Sequence, residues 1–214
     1  MYTHKQITVS GTPKTFGYLE YLPKEYGKGE KMPLVIFLHG AGERGDDLEL
    51  VARHGWLKHV RNGQEYPFVI LAPQCPQNDY WGCYIESLNA FLDTALKEYD
   101  VDPKRVYLTG LSMGGTGTWL WSLANPERFA AVLPVCGSGV CWYAGKLVNK
   151  PVWAMHGDAD TTVDWGESVR MTEAIRKRGG NPKLTLYPRV GHNAWDYAYS
   201  DPEVIEWMLA QKME

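Results

Sequence analysis

The chain has 214 residues, 44% of them hydrophobic and 22% charged, with a formal net charge of −3. That length fits one domain with a full hydrophobic core, and the lack of a basic surplus argues against nucleic acid or an anionic membrane as partner. The 22 glycines and 13 prolines stay well under the ~25–30% share that marks low complexity.

Short apolar runs alternate with amphipathic stretches. In chain order, the runs 15–22, 34–38 and 68–72 read as strands, and 85–99 reads as a helix with Leu88, Phe91, Leu92, Ala95 and Leu96 on one stripe. Strand 106–109, helix 113–124 and strands 130–135 and 152–155 follow. Helix 167–178 carries Val169, Met171, Ala174 and Ile175 and stops at Gly179-Gly180. Strand 184–187 comes next. A last helix, 202–212, has Asp201 as N-cap and Pro202 at its first position. Strands that are apolar throughout and alternate with helices predict a mostly parallel sheet with helices on both faces. Ligands of such sheets bind beyond the carboxyl ends of the strands.

The longest apolar stretches, 34–38 and 129–135, fall far short of the ~18 residues of a membrane span. The N-terminus is polar, so the expectation is a soluble chain without a signal peptide, either cytoplasmic or secreted with its signal already removed. Cys75, Cys83, Cys136 and Cys141 form no Cys-x-x-Cys pair. They read as reduced thiols rather than as a zinc site.

Gly110-Leu111-Ser112-Met113-Gly114 lies between a strand and a helix. This is the Gly-x-Ser-x-Gly elbow in the context its chemistry requires. The turn is too tight for side chains at Gly110 or Gly114, and it pushes the Ser112 hydroxyl clear of the sheet. The Met113 N–H, at the start of the helix, is placed to bind an oxyanion. A base is expected after an acid in chain order. The strand ending at Met155 releases His156-Gly157-Asp158-Ala159-Asp160, and the next releases Gly191-His192. His192 is the one histidine after the final strand, whereas His39 and His156 are better placed to brace loops.

These blocks, with Leu38-His39-Gly40-Ala41-Gly42-Glu43-Arg44-Gly45, resemble the α/β-hydrolase superfamily over nearly the whole chain. The nearest likeness is to compact serine esterases of the phospholipase/carboxylesterase and feruloyl-esterase-like groups, relatives of the dienelactone hydrolases and of prolyl-oligopeptidase-type peptidases. Dienelactone hydrolases use a cysteine nucleophile, and Ser112 departs from that. The resemblance implies a three-layer α/β-hydrolase fold without a cap domain, spanning 1–214 as one domain. It also implies a Ser112–His192–Asp160 triad, Asp160 being preferred over Asp158 and Asp164 by its spacing from His156-Gly157. A second oxyanion donor at Ala41 follows as well. Glu43 and Arg44, next in the loop, read either as an ion pair that holds it or as two solvated charges. No metal or cofactor is implied.

Val135 and Val152 are 17 positions apart, which leaves room for a loop but no lid. That favours soluble short-acyl, aromatic or carbohydrate-linked esters over long-chain lipid. Of the nine tryptophans, Trp81, Trp142, Trp165 and Trp195 fall in loops at the carboxyl edge. Trp81 and Trp142 are the first candidates for a flat platform under an aromatic or sugar ring. The rival expectations are a serine peptidase or amidase on the same triad, and a silent binding protein on a hydrolase scaffold. Oligomeric state has no sequence signal.

Overall fold

A computed structural model describes residues 1–8 and 15–214. One eight-stranded sheet runs in the order β1-β2-β4-β3-β5-β6-β7-β8. β1 (Tyr2–Thr8) and β2 (Thr15–Tyr21) pair antiparallel, and β2 joins β4 (Val69–Pro73) antiparallel. From there β3 (Met32–Leu38), β4, β5 (Val101–Leu111), β6 (Ala131–Val135), β7 (Trp153–Gly157) and β8 (Lys183–Tyr187) are parallel.

Among the described residues, six helices flank the sheet: α1 (Gly55–Arg61), α2 (Ile85–Glu98), α3 (Met113–Ala124), α4 (Gly166–Arg176), α5 (Trp195–Ala198) and α6 (Pro202–Leu209). The alternation along β3 explains the layers. Leu34, Ile36 and Leu38 pack with Leu88 and Phe91 of α2, Trp119 of α3 and Met171 of α4. Val35 and Phe37 pack on the other face with Trp56 of α1, Ala198 of α5 and Met208 of α6. Both faces of the central strands are thus dry, as continuous apolar runs require.

The seven expected strands and four expected helices are all present, with ends shifted by a few residues. Three elements differ. β1 carries no apolar alternation because it is an edge strand: Ile7 is buried, while Thr3, His4, Lys5 and Gln6 are exposed. β5 begins at Val101, five residues before its apolar run, and the pairing register shifts between Met32 and Leu34 to absorb Pro103. The short α5 follows His192 directly and lacks the length for a periodic signal.

Register sets the site. Leu38 pairs with Gly110, Leu111 with Val135, Val135 with Met155, and Gly157 with Tyr187. The strand ends are therefore level, and the loops after β3, β5, β6, β7 and β8 emerge on one edge. Between β6 and β7 the chain forms only a 3-10 turn, Cys141–Leu147. Cys83, Cys136 and Cys141 are free thiols, and among the described residues no helix is long and apolar enough to cross a membrane.

Candidate active site

Ser112 sits between β5 and α3 with φ 54° and ψ −117°, a conformation that a non-glycine residue adopts only when its surroundings impose it. Glycine makes the turn possible. A methyl group at Gly114 would stand 1.9 Å from the Leu38 carbonyl oxygen, and one at Gly110 would stand 2.5 Å from the Gly114 oxygen. The turn is anchored by Ser112 N–H donating to Val135 O (2.9 Å). Ser112 itself is half-buried.

The Ser112 hydroxyl lies 2.8 Å from His192 Nε2, and His192 Nδ1 lies 2.7 Å from Asp160 Oδ2. A carboxylate only accepts, so the His192 proton resides on Nδ1, and Nε2 accepts from the serine. His192 is further held edge-on by Trp195, with ring centroids 5.0 Å apart. Asp160 is buried at 6% exposure. Its Oδ1 accepts from the N–H groups of Thr162 (2.8 Å) and Val163 (3.0 Å). Burial alone would raise this carboxyl. The hydrogen bonds from His192, Val163 and Thr162 outweigh it and keep the group below the ordinary carboxylate range.

Neither other acid reaches His192. Asp158 is exposed and accepts from Arg189 N–H, while Asp164 caps the N–H of Gly166 and pairs with Arg170.

Met113 is the first residue of α3 and Ala41 the first of a 3-10 turn, Ala41–Glu43, so neither N–H has an acceptor within its own helix. Gly40, just before Ala41, closes against the serine: a methyl group there would stand 3.6 Å from Ser112 Cβ. The Glu43–Arg44 ion pair does not form. Arg44 instead donates to Ala41 O (2.9 Å) and Asp79 O (3.2 Å), and Glu43 turns inward to lie 3.8 Å from His54 Nε2. The loop is braced by guanidinium-to-carbonyl bonds because the Glu43 side chain is buried away from its neighbour.

His39 braces the same loop. It sits against Gly40 O through Nδ1 (2.6 Å) and takes the Cys75 N–H at Nε2 (2.9 Å). Burial pushes its pKa down to about 4, so it is a neutral strut.

The tryptophans divide. Trp81 is fully buried, donates from Nε1 to His39 O (3.0 Å) and lies against Gly117. It has no face to offer a substrate, and the expectation that it forms a platform is corrected: its 3-10 turn, Trp81–Tyr84, folds it beneath α3. Trp142 is 83% exposed and walls a groove of about 550 Å³ with Val169, Arg170, Glu173 and Lys177 of the α4 region.

Cys136 had no signal in the sequence. It follows β6 at φ 49° and is fully buried, and its Sγ, an Asp160 oxygen and a His192 nitrogen lie within 4.8 Å of one another. Among the described residues this grouping has the composition of a metal site. The donors do not fit an ion, however. Burial pushes the Cys136 thiol up to about 12, and the carboxylate and imidazole are bonded to each other.

Elbow, level strand ends and the hydrogen-bonded Ser–His–Asp line define the class: this is an α/β-hydrolase fold. The chain belongs to the dienelactone hydrolase family, whose sequence pattern matches residues 83–201, with Ser112 at the elbow position. A thermostable esterase of known structure superposes with a TM-score of 0.87 at 30% identity, over 99% of this chain and 63% of that one. A poly(3-hydroxyalkanoate) depolymerase C from Paucimonas lemoignei is 25% identical over 213 residues, 92% of this chain and 48% of the relative. A ferulic acid esterase shares the fold, with a TM-score of 0.75 at 19% identity over 94% of this chain and 93% of that one. The chain thus spans less than two thirds of the depolymerase and of the thermostable esterase.

Proposed function

We propose that the protein is a serine-dependent carboxylic-ester hydrolase. The observation that carries this reading is the unbroken line from the Ser112 hydroxyl through His192 to Asp160, at 2.8 and 2.7 Å. In the proposed reaction Ser112 Oγ attacks the ester carbonyl while His192 Nε2 takes its proton. The resulting oxyanion accepts hydrogen bonds from the Met113 and Ala41 N–H groups. His192 then hands the proton to the departing alcohol, leaving an acyl-serine. Water, deprotonated by the same imidazole, attacks the acyl group, and its proton passes back to Ser112 as the acid departs. Asp160 holds the imidazole in its Nδ1–H tautomer and stabilises the cation.

A fluorophosphonate probe is expected to label Ser112, and Ser112→Ala should abolish labelling and lower kcat by at least ~10³-fold. Absence of an adduct on the folded protein would remove the esterase reading.

For the substrate, the reading is a small or carbohydrate-linked ester with a short or aromatic acyl group. The thermostable esterase and the ferulic acid esterase support esters, the second by fold alone. Among the exposed aromatic rings, Trp142 at 83% offers the most open face to a ring of such a substrate. Trp142→Ala is expected to raise KM for methyl ferulate severalfold relative to KM for p-nitrophenyl acetate. An unchanged ratio would remove Trp142 from the substrate contacts.

A further inference from the structure

The histidine of the His156-Gly157 pair is fully buried at the end of β7. Its Nδ1 lies 2.8 Å from Ser168 Oγ on α4, and its Nε2 lies 3.1 Å from Asp160 Oδ2 and 3.1 Å from Val163 O. The two partners of Nε2 are acceptors, so the proton sits there, and Nδ1 receives the serine hydroxyl. Asp160 Oδ2 is also the oxygen that His192 Nδ1 contacts. One carboxylate oxygen thus serves two imidazoles, one facing the reacting serine and one facing the interior.

We infer that His156 is a positioning residue that tunes the acid of the triad: locked by Ser168 as its Nε2–H tautomer, it shares the charge on Asp160 Oδ2 and so limits how strongly Asp160 holds the proton of His192. The inference rests on the Ser–His–Asp reading of the site.

Three observations support it. Burial holds His156 below its ordinary value, so it remains a neutral single-proton donor and does not compete as a second cation. The Ser168 side chain is fully buried too, and its hydroxyl has a fixed partner. The other groups facing Asp160 cannot take the role. Cys136, at the end of β6, carries a thiol raised by burial, and the Thr162 and Val163 N–H groups are bound to Oδ1. Just before α3, the Ser112 hydroxyl is bonded to His192. Asp164 is exposed and is engaged by the Gly166 N–H and Arg170.

Removing the His156 donor leaves Asp160 a stronger base. The imidazolium form of His192 gains, and activity is lost at a higher pH than in the parent.

The test is kcat and KM for p-nitrophenyl acetate against pH in the parent, His156→Leu, His156→Gln and Ser168→Ala. His156→Leu is expected to lower kcat roughly tenfold, the order of one hydrogen bond to a charged group, and to move the acid limb of kcat/KM up by about half a unit or more with KM little changed. His156→Gln, which restores an N–H, should return the limb towards the parent. Ser168→Ala should move it the same way as His156→Leu but less. An acid limb that stays in place while kcat falls would show mere structural support and overturn the inference. If His156→Leu does not fold, an unmoved limb in Ser168→Ala overturns it equally. Failure of the parent to label with fluorophosphonate would instead defeat the esterase reading, so the two failures are distinguishable.

Discussion

His39 shows how a single residue carries both the stability and the shape of the donor loop. It is buried, neutral and bonded at both nitrogens. Its folded pKa of about 4 lies below the ordinary 6.5, so between those values the unfolded chain binds the proton and the folded one does not. Stability must therefore fall as pH drops from 6.5 towards 4, by roughly 3 kcal/mol for this residue. His59 and His156 are lowered by burial as well and act in the same direction. Urea unfolding at pH 7.0 and 4.5 should show the loss, and His39→Gln should show a smaller pH dependence than the parent. An equal dependence in both would mean that His39 does not contribute. Trp81 belongs to the same strut: its indole N–H holds the His39 carbonyl. In sequence it was indistinguishable from Trp142, since both are loop tryptophans after a strand. What separates them is that Gly117 leaves a niche on α3 that the Trp81 ring enters, a long-range fact that no local pattern encodes.

At the scale of elements, the junction of β5 and α3 leaves, at Gly114, less room for a Cβ than any other described glycine position. Beyond the contacts at Gly110 and Gly114, a methyl group at Gly115 would stand 2.3 Å from Val135 O. Gly114→Ala should cost on the order of 4 kcal/mol or more or prevent folding, because backbone and not a flexible side chain is in the way. Thermal unfolding or soluble yield would reveal it, and a variant as stable as the parent would contradict this packing. The junction was legible in the sequence because steric demand leaves only glycine, and glycine spacing is visible. The central strands were legible for a related reason: two dry faces demand uninterrupted apolar runs. β1 was not, since an edge strand held by main-chain pairing needs no apolar side chains. Nor was the arrangement around Arg44, where adjacent opposite charges read as a pair or as solvated, and burial turns Glu43 away. The partners of Asp160 fall between these extremes. The spacing picked Asp160 and the strand order picked His192, but the second imidazole on the same oxygen is apparent only in three dimensions.

For the whole molecule, what matters is what lies over the level strand ends. The chain from β6 to β7 crosses this edge with one 3-10 turn and no covering helix, and Ser112 and His192 are both partly exposed. Access should not depend on a surface-triggered opening. Rates on p-nitrophenyl butyrate are expected to follow a simple saturation curve through the solubility limit of the ester. An abrupt rise once droplets form would indicate a moving cover.

The same short crossing has a use in engineering. Its two ends are pinned: at one, Gly137 lies against the backbone of Gly115, where a methyl group would meet Gly115 C at 2.2 Å, and at the other Lys150 bonds to Phe129 O. Between those pins lie the exposed side chains of Val140, Trp142 and Tyr143, whose replacement disturbs little of the core. An inserted helical hairpin would start at the Gly137 anchor, beside the turn that carries the reacting serine, and finish at the Lys150 anchor ahead of β7. The fold thus presents a ready socket in which new selectivity can be grafted without moving the machinery beneath it.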